Sequence, residues 1–135
     1  MGVLRGTVYY VQHRELTTSE PHYLIVLNPK TDRAPYIVFG VITSGIEFAK
    51  KRIAWNNQPE NTLVLISPSD YSELDHDSVV DCNTPVKMSK WEFNMVFAQY
   101  SACRKQDMPA NICQNIVDGI MASTMVAQNI KKLLS

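Results

Sequence analysis

The chain has 135 residues, 45% of them hydrophobic and 19% charged. That composition describes one globular domain with a real core and excludes a disordered chain. The 13 Lys and Arg balance the 13 Asp and Glu, so no global field draws the molecule to nucleic acid or to an anionic membrane, and any polyanion binding needs a local patch.

In chain order, residues 6–11 (Gly-Thr-Val-Tyr-Tyr-Val) read as a first strand, rich in β-branched and aromatic residues. Residues 12–21 form a polar loop ending at Pro21, with His13, Arg14 and Glu15 in succession. A base, a cation and a carboxylate on one long loop suit a functional segment; the same residues also read as ordinary solvated charges. Residues 22–27 (His-Tyr-Leu-Ile-Val-Leu) are a second strand, and residues 28–33 carry turn chemistry. The third strand, residues 36–42, follows by a short connection, so strands two and three are expected to be antiparallel neighbours.

That third strand is the stretch on which the functional reading turns. It is apolar and β-branched, the pattern of a strand buried on both faces, and it ends in Thr43, Ser44 and Gly45. Two hydroxyls stand where the chain leaves the core, and Gly45 is expected to permit a sharp exit.

Residues 46–55 then read as a short helix bearing Lys50, Lys51, Arg52 and Trp55. Arginine and indole can stack on bases while lysines meet phosphates, although a solvated helix face with one anchoring aromatic has the same pattern. Further strands are expected at 62–66, 78–82 and 85–88, with a turn at 67–70. Ser89-Lys-Trp-Glu92 has the form of a capping box that opens a helix from Lys90, and residues 97–105 continue amphipathically. After Asp107-Met108-Pro109 the apolar positions Ile112, Ile116, Ile120, Val126 or Ala127, Ile130 and Leu134 predict one long helix, with Met121 and Met125 as core filler. Strands first and helices last indicate an α+β or mostly-β domain built on a small antiparallel β-barrel or strongly twisted sheet.

The three cysteines, Cys82, Cys103 and Cys113, are odd in number and contain no Cys-x-x-Cys pair. This argues against a disulfide framework and a zinc knot and for reduced thiols in a cytoplasmic protein. The N-terminus has no long apolar stretch, so no signal peptide is expected, and no run approaches the length of a membrane span. Asp75, Asp77 and Asp81 match no metal loop, and His76 among them reads as a surface residue.

With the strands in place, the pattern resembles the MazF/PemK (Kid-like) toxins, which share a fold with the gyrase poison CcdB. Residues 6–11 look like the family's opening Gly-Asp-Ile-Val-Trp-Val. Residues 22–28 resemble its Arg-Pro-Ala-Leu-Val-Leu-Ser, residues 39–44 (Phe-Gly-Val-Ile-Thr-Ser) its strand ending Pro-Ile-Thr-Ser, and residues 74–82 with 87–93 its aspartate-Ser-x-Val strand and the lysine-bearing segment beyond it. The resemblance covers most of residues 3–95. It implies a single domain over 1–135: a small SH3-like antiparallel β-barrel with an inserted helix in 3–95, and a helical C-terminal region with a long C-terminal helix in 96–135.

The resemblance further implies a cytoplasmic homodimer, the toxin of a toxin-antitoxin system. Its activity would be metal-free, sequence-selective cleavage of single-stranded RNA, an endoribonuclease hydrolase of the mRNA interferase kind, neutralised by an antitoxin protein. No cofactor, metal or membrane belongs to that reading. The family's catalytic arginine and threonine fall on His22 and Thr43, with Ser44 beside them, and RNA contacts would come from His13, Arg14, Lys50, Lys51, Arg52 and Trp55. Thr43 matches; His22 departs from the arginine. Histidine can move a proton near neutral pH but cannot be a permanent forked phosphate clamp. Either His22 has taken over proton transfer, with Arg14 or Arg33 supplying charge, or cleavage has been lost and the domain serves as an attenuated relative, a protein-interaction module. Duplex DNA binding is disfavoured by the zero net charge.

Overall fold

The computed structural model describes residues 4–11, 22–29, 31, 34–99 and 102–135, with backbone alone at 96–99 and 102. Strand β1 (Val8–Val11) pairs antiparallel with β2 (His22–Val26), and β2 with β3 (Tyr36–Thr43). The turn between β2 and β3 is fixed by Asn28, fully buried, whose side-chain amide donates to the Tyr36 carbonyl at 3.1 Å while its oxygen accepts from the Val38 N–H at 2.7 Å. Both polar ends of a buried amide are thus satisfied.

The long strand β3 serves two partners on its other edge. Its first half pairs with β6 (Val86–Ser89) and its last two residues with β5 (Ser78–Asp81), which in turn pairs with β4 (Leu63–Ile66). Because β5 and β6 share one edge of β3, the sheet opens between them at Gly40 and Val41, and β5 alone pairs with the end of β3. Helix α1 (Ile46–Trp55) leaves β3 at that point, and α2 (Lys90–Gln99) follows β6 directly. The capping box forms as read: the Ser89 hydroxyl accepts from the Glu92 N–H at 3.1 Å, and Glu92 accepts from the Ser89 N–H at 3.3 Å.

The described residues thus form an α+β fold of seven antiparallel strands and four helices. Strand alternation sends two apolar sets to opposite faces. One set, including Ile25, Val38, Ile42, Val64 and Val80, packs against α3 (Ala110–Ala122) through Ile112, Ile116 and Ile120. The other, Leu24, Val26, Phe39 and Met88, lies under Phe93 of α2.

The C-terminal region differs from its expected form in two places. Residues 102–105 form not a helical continuation but strand β7 (Ala102–Lys105), which pairs along all of β1, so an edge that would otherwise offer free backbone groups is covered. The expected single long helix is two helices, α3 and α4 (Gln128–Leu133). The reason lies in the apolar stripe. After Ile120 the next turn would bring residues 123 and 124 inward, and these are Ser and Thr. Ser123 turns extended, its hydroxyl accepts from the Met125 N–H at 3.0 Å, and the chain restarts at α4. Lys131 of α4 reaches back to donate to the Ser123 carbonyl at 2.7 Å and the Met121 carbonyl at 3.1 Å, satisfying the free carbonyls of the α3 end. Met121 and Met125 are exposed rather than core filler.

Candidate functional site at the end of the third strand

Register brings the two principal residues together. Tyr23 is paired with Ile42, so the next pair outward sets His22 opposite Thr43, with both side chains on one face. His22 is half-buried, and its ring Nδ1 lies 3.2 Å from the Ile42 carbonyl. A carbonyl only accepts, so Nδ1 is the donor, the ring is fixed, and the lone pair of the neutral ring sits on Nε2. Thr43 Oγ1 accepts from the Gly45 N–H at 3.0 Å, which holds the hydroxyl at the strand end while its own proton can still donate. Gly45 itself has φ −81°, a conformation open to any residue; the expected special role of glycine in a sharp exit is not used, and Gly45 serves as the position before α1.

His22 and Thr43 line a hollow of about 280 Å3 whose far wall is α1, which contributes Phe48 and Arg52, and whose remaining side is β5 with Val79 and Asp81. Arg52 lies 5.9 Å from the Phe48 ring centroid, one helical turn away, and 3.9 Å from Asp81 Oδ2. That separation is too long for a hydrogen bond, so Asp81 orients the guanidinium without consuming its N–H donors. Asp81 is held in turn by the Asn83 backbone N–H at 2.9 Å and side-chain amide at 3.0 Å.

The same two residues border a second hollow, about 200 Å3, formed beyond the strand ends by Tyr10, Tyr23, Ser44, Glu73, Asp75 and His76. The strand end therefore separates a side holding a guanidinium from a side holding two carboxylates. His76, expected to be a surface residue, is exposed, and it borders this second hollow. Glu73 and the two tyrosines belong to it as well and were not singled out in the sequence. The Tyr23 hydroxyl donates to the Glu73 carbonyl at 3.1 Å, across 50 residues of chain, a closeness no local pattern announces.

The helical cluster is divided by its own geometry. Arg52 faces the first hollow. Lys50, 3.8 Å from Glu47, lies on the side of α1 that faces β4, against Leu63 and Leu65. Lys51 and Trp55 are one turn apart on the solvent side, with Trp55 71% exposed. His13, Arg14 and Arg33 lie outside the described residues. Among the described residues no three His, Cys, Asp or Glu side chains are placed so that they could hold a metal ion, and no helix is long and apolar enough to cross a membrane. All three cysteines are free thiols. Comparison of the chain with protein-family models and with curated proteins gives no match.

Proposed function

We propose that the protein is an RNA-directed, MazF/PemK-like domain with an SH3-like barrel ancestry, which cleaves single-stranded RNA at the end of β3. The observation that carries this reading is the convergence of an imidazole, a hydroxyl and a guanidinium from three separate elements on one open hollow. Attack of a ribose 2′-hydroxyl on its own phosphorus needs a base, donors to the phosphorane and positive charge. In this reading His22 Nε2 takes the 2′-proton as the 2′-oxygen–phosphorus bond forms. Thr43 and Ser44 donate to the non-bridging oxygens, and Arg52 offsets the growing negative charge. As the phosphorus–5′-oxygen bond breaks, His76 on the adjoining wall gives its proton to the departing oxygen. The products are a 2′,3′-cyclic phosphate and a 5′-hydroxyl end.

Arg52 answers the difficulty raised by His22. The forked cation that the family carries on the second strand is supplied here from α1, and the residue on the strand is free to work as a base. The test is incubation of purified protein with single-stranded RNA in EDTA. Fragments ending in cyclic phosphate are expected, together with loss of cleavage in His22→Ala; RNA left intact at micromolar protein overturns the enzymatic reading.

One observation favours a second reading, a protein-interaction module. Strand β4 is the terminal strand of the sheet, and between it and α1 runs a groove of about 580 Å3 walled by Ile53, Ala54, Leu63 and Leu65, with Leu65 57% exposed. An extended segment of an antitoxin-like protein could add to that edge and fill the groove with its side chains. Capture of such a protein, with no binding of RNA at low salt, selects this reading over the first.

A further inference from the structure

We infer that the second hollow is a base-reading pocket, selective for guanine, for the nucleotide next to the phosphate held at Thr43 and Ser44. This rests on the RNA-directed reading and deepens it. Three features carry it. First, the hollow shares His22 and Thr43 with the hollow of the proposed reaction and carries Ser44, the next residue, on its own wall, so whatever fills it is attached within one nucleotide of the reacting phosphate. Second, its aromatic floor is rigid. The Tyr10 and Tyr23 rings lie 4.6 Å apart, Tyr23 is braced edge-on by buried Tyr71 at 6.4 Å and tied through its hydroxyl to Glu73, and the Lys105 ammonium stands 5.8 Å from the Tyr10 ring. Fixed rings of this kind accept a flat base without paying for reordering. Third, its polar wall has the wrong sign for phosphate. Asp75 and Glu73, whose Oε2 accepts from the Gln106 N–H at 3.4 Å, are carboxylates that repel an anion while favouring a neutral group rich in N–H donors.

Among the four bases, guanine alone offers two adjacent donors, N1–H and the N2 amino group, to the fork of one carboxylate. Adenine and cytosine offer an amino group beside a ring acceptor, which a carboxylate opposes. Uracil offers a single ring N–H. The volume of about 200 Å3 suits one base and not a longer ligand. The two hollows thus divide the substrate: the Arg52 side meets the charged backbone, and the Glu73 side reads the base.

The test measures binding alone, so it is independent of cleavage. Heptamers of 2′-fluoro uridine carrying G, A, C or U at the centre lack the attacking hydroxyl and are titrated against the full chain by fluorescence anisotropy. The G heptamer is expected to bind about tenfold tighter than the U heptamer. In Glu73→Gln and Asp75→Asn that preference should fall toward unity with U binding kept or improved, because amides remove the paired acceptors but keep shape. Tyr10→Phe should retain the preference and Tyr10→Leu should weaken all four heptamers. If the heptamers bind with no preference for G, or the amide variants leave the preference intact, the pocket assignment is overturned and the RNA-directed reading stands. If none of the four binds, both fall together.

Discussion

Arg52 on α1 and Asp81 on β5 are 3.9 Å apart across the mouth of the first hollow, 29 positions apart in sequence, and each is held by its own neighbours: Arg52 over the Phe48 ring, Asp81 by the Asn83 amides. With the arginine side chain about a third exposed, the pair itself adds little stability; exposed ion pairs of this sort contribute roughly 0–1 kcal/mol. Its value lies in aim. Arg52→Ala should lower RNA cleavage about a hundredfold, the usual effect of removing one stabilising donor, with the melting temperature changed by no more than a few degrees. Arg52→Lys should recover only part of the rate, since an ammonium cannot reproduce the fork. Asp81→Asn should lie between wild type and Arg52→Ala. An unchanged cleavage rate in Arg52→Ala would remove the guanidinium from the proposed mechanism.

His22 and Thr43 make separable demands on the same strand pair. His22→Ala removes the proposed base and should cost about a hundredfold or more in kcat. Thr43→Ser keeps the hydroxyl and should remain within a few-fold of wild type, while Thr43→Val loses it. The lost Thr43–Gly45 hydrogen bond is exposed and water can replace it, so Thr43→Val should fold normally. Equal activities of the Ser and Val variants in single-turnover cleavage would mean that the hydroxyl only closes the turn.

Much of this arrangement could be read from local pattern. Strands β1 to β6 and helix α1 announce themselves through β-branched runs and turn residues, and Ser89 with Glu92 marks the start of α2. The pairing of β2 with β3 follows from their short connection, and it alone sets His22 beside Thr43. What could not be read depends on closure over long separations. Strand β7 exists because β1 has an edge to cover, not because residues 102–105 favour extension. Arg52 was visible as one of three consecutive cations, but only the docking of α1 decides which of them faces the hollow. Glu73 and His76 reach the site through turns whose paths their own sequence does not state, and Tyr10 reaches it through the pairing of β1 with β2.

The thiols give a prediction with a definite sign. Burial, with the Asp81 charge adding to it, pushes the Cys82 thiol up from 9.0 to about 12; burial also raises Cys113, while Cys103 is exposed. At pH 8 a thiol reagent should modify Cys103 quickly and the two buried thiols only on unfolding. Because the folded state holds these protons more tightly than the unfolded chain, the associated stability is complete below about pH 9 and is lost as pH rises toward 12. Above pH 9 Cys82 should cost about 1.4 kcal/mol per pH unit until its folded value is reached, and Cys113 adds in the same direction. Tyr71, raised by burial, adds to the same decline above pH 10. Denaturant melts at pH 8, 9, 10 and 11 should show the midpoint falling in steps that steepen with pH. A flat profile to pH 11 would mean that these groups reach water in the folded protein.

Two glycines should respond unequally to the same methyl group. A Cβ on Gly119 in α3 would stand 2.6 Å from the Asn61 carbonyl oxygen and 2.6 Å from Cys82 Sγ, so the helix rests on the segment before β4 with no room for it. Helix propensity favours alanine there by about 1 kcal/mol, but the clash is with backbone and a buried sulfur, and overpacking of that kind costs about 1–3 kcal/mol. Gly119→Ala should therefore be destabilising on balance, and Gly119→Val more so. At Gly45 a Cβ would meet only Thr43 Oγ1, at an ordinary 3.5 Å, and the backbone is one that alanine adopts. There the entropy removed from the unfolded chain, about 0.4–1 kcal/mol, opposes alanine's poorer fit before a helix, and Gly45→Ala should melt within a degree or two of wild type. Chemical denaturation of the two variants side by side decides the matter. A Gly119→Ala protein as stable as wild type would mean that α3 sits farther from β4 and Cys82 than the 2.6 Å approaches require.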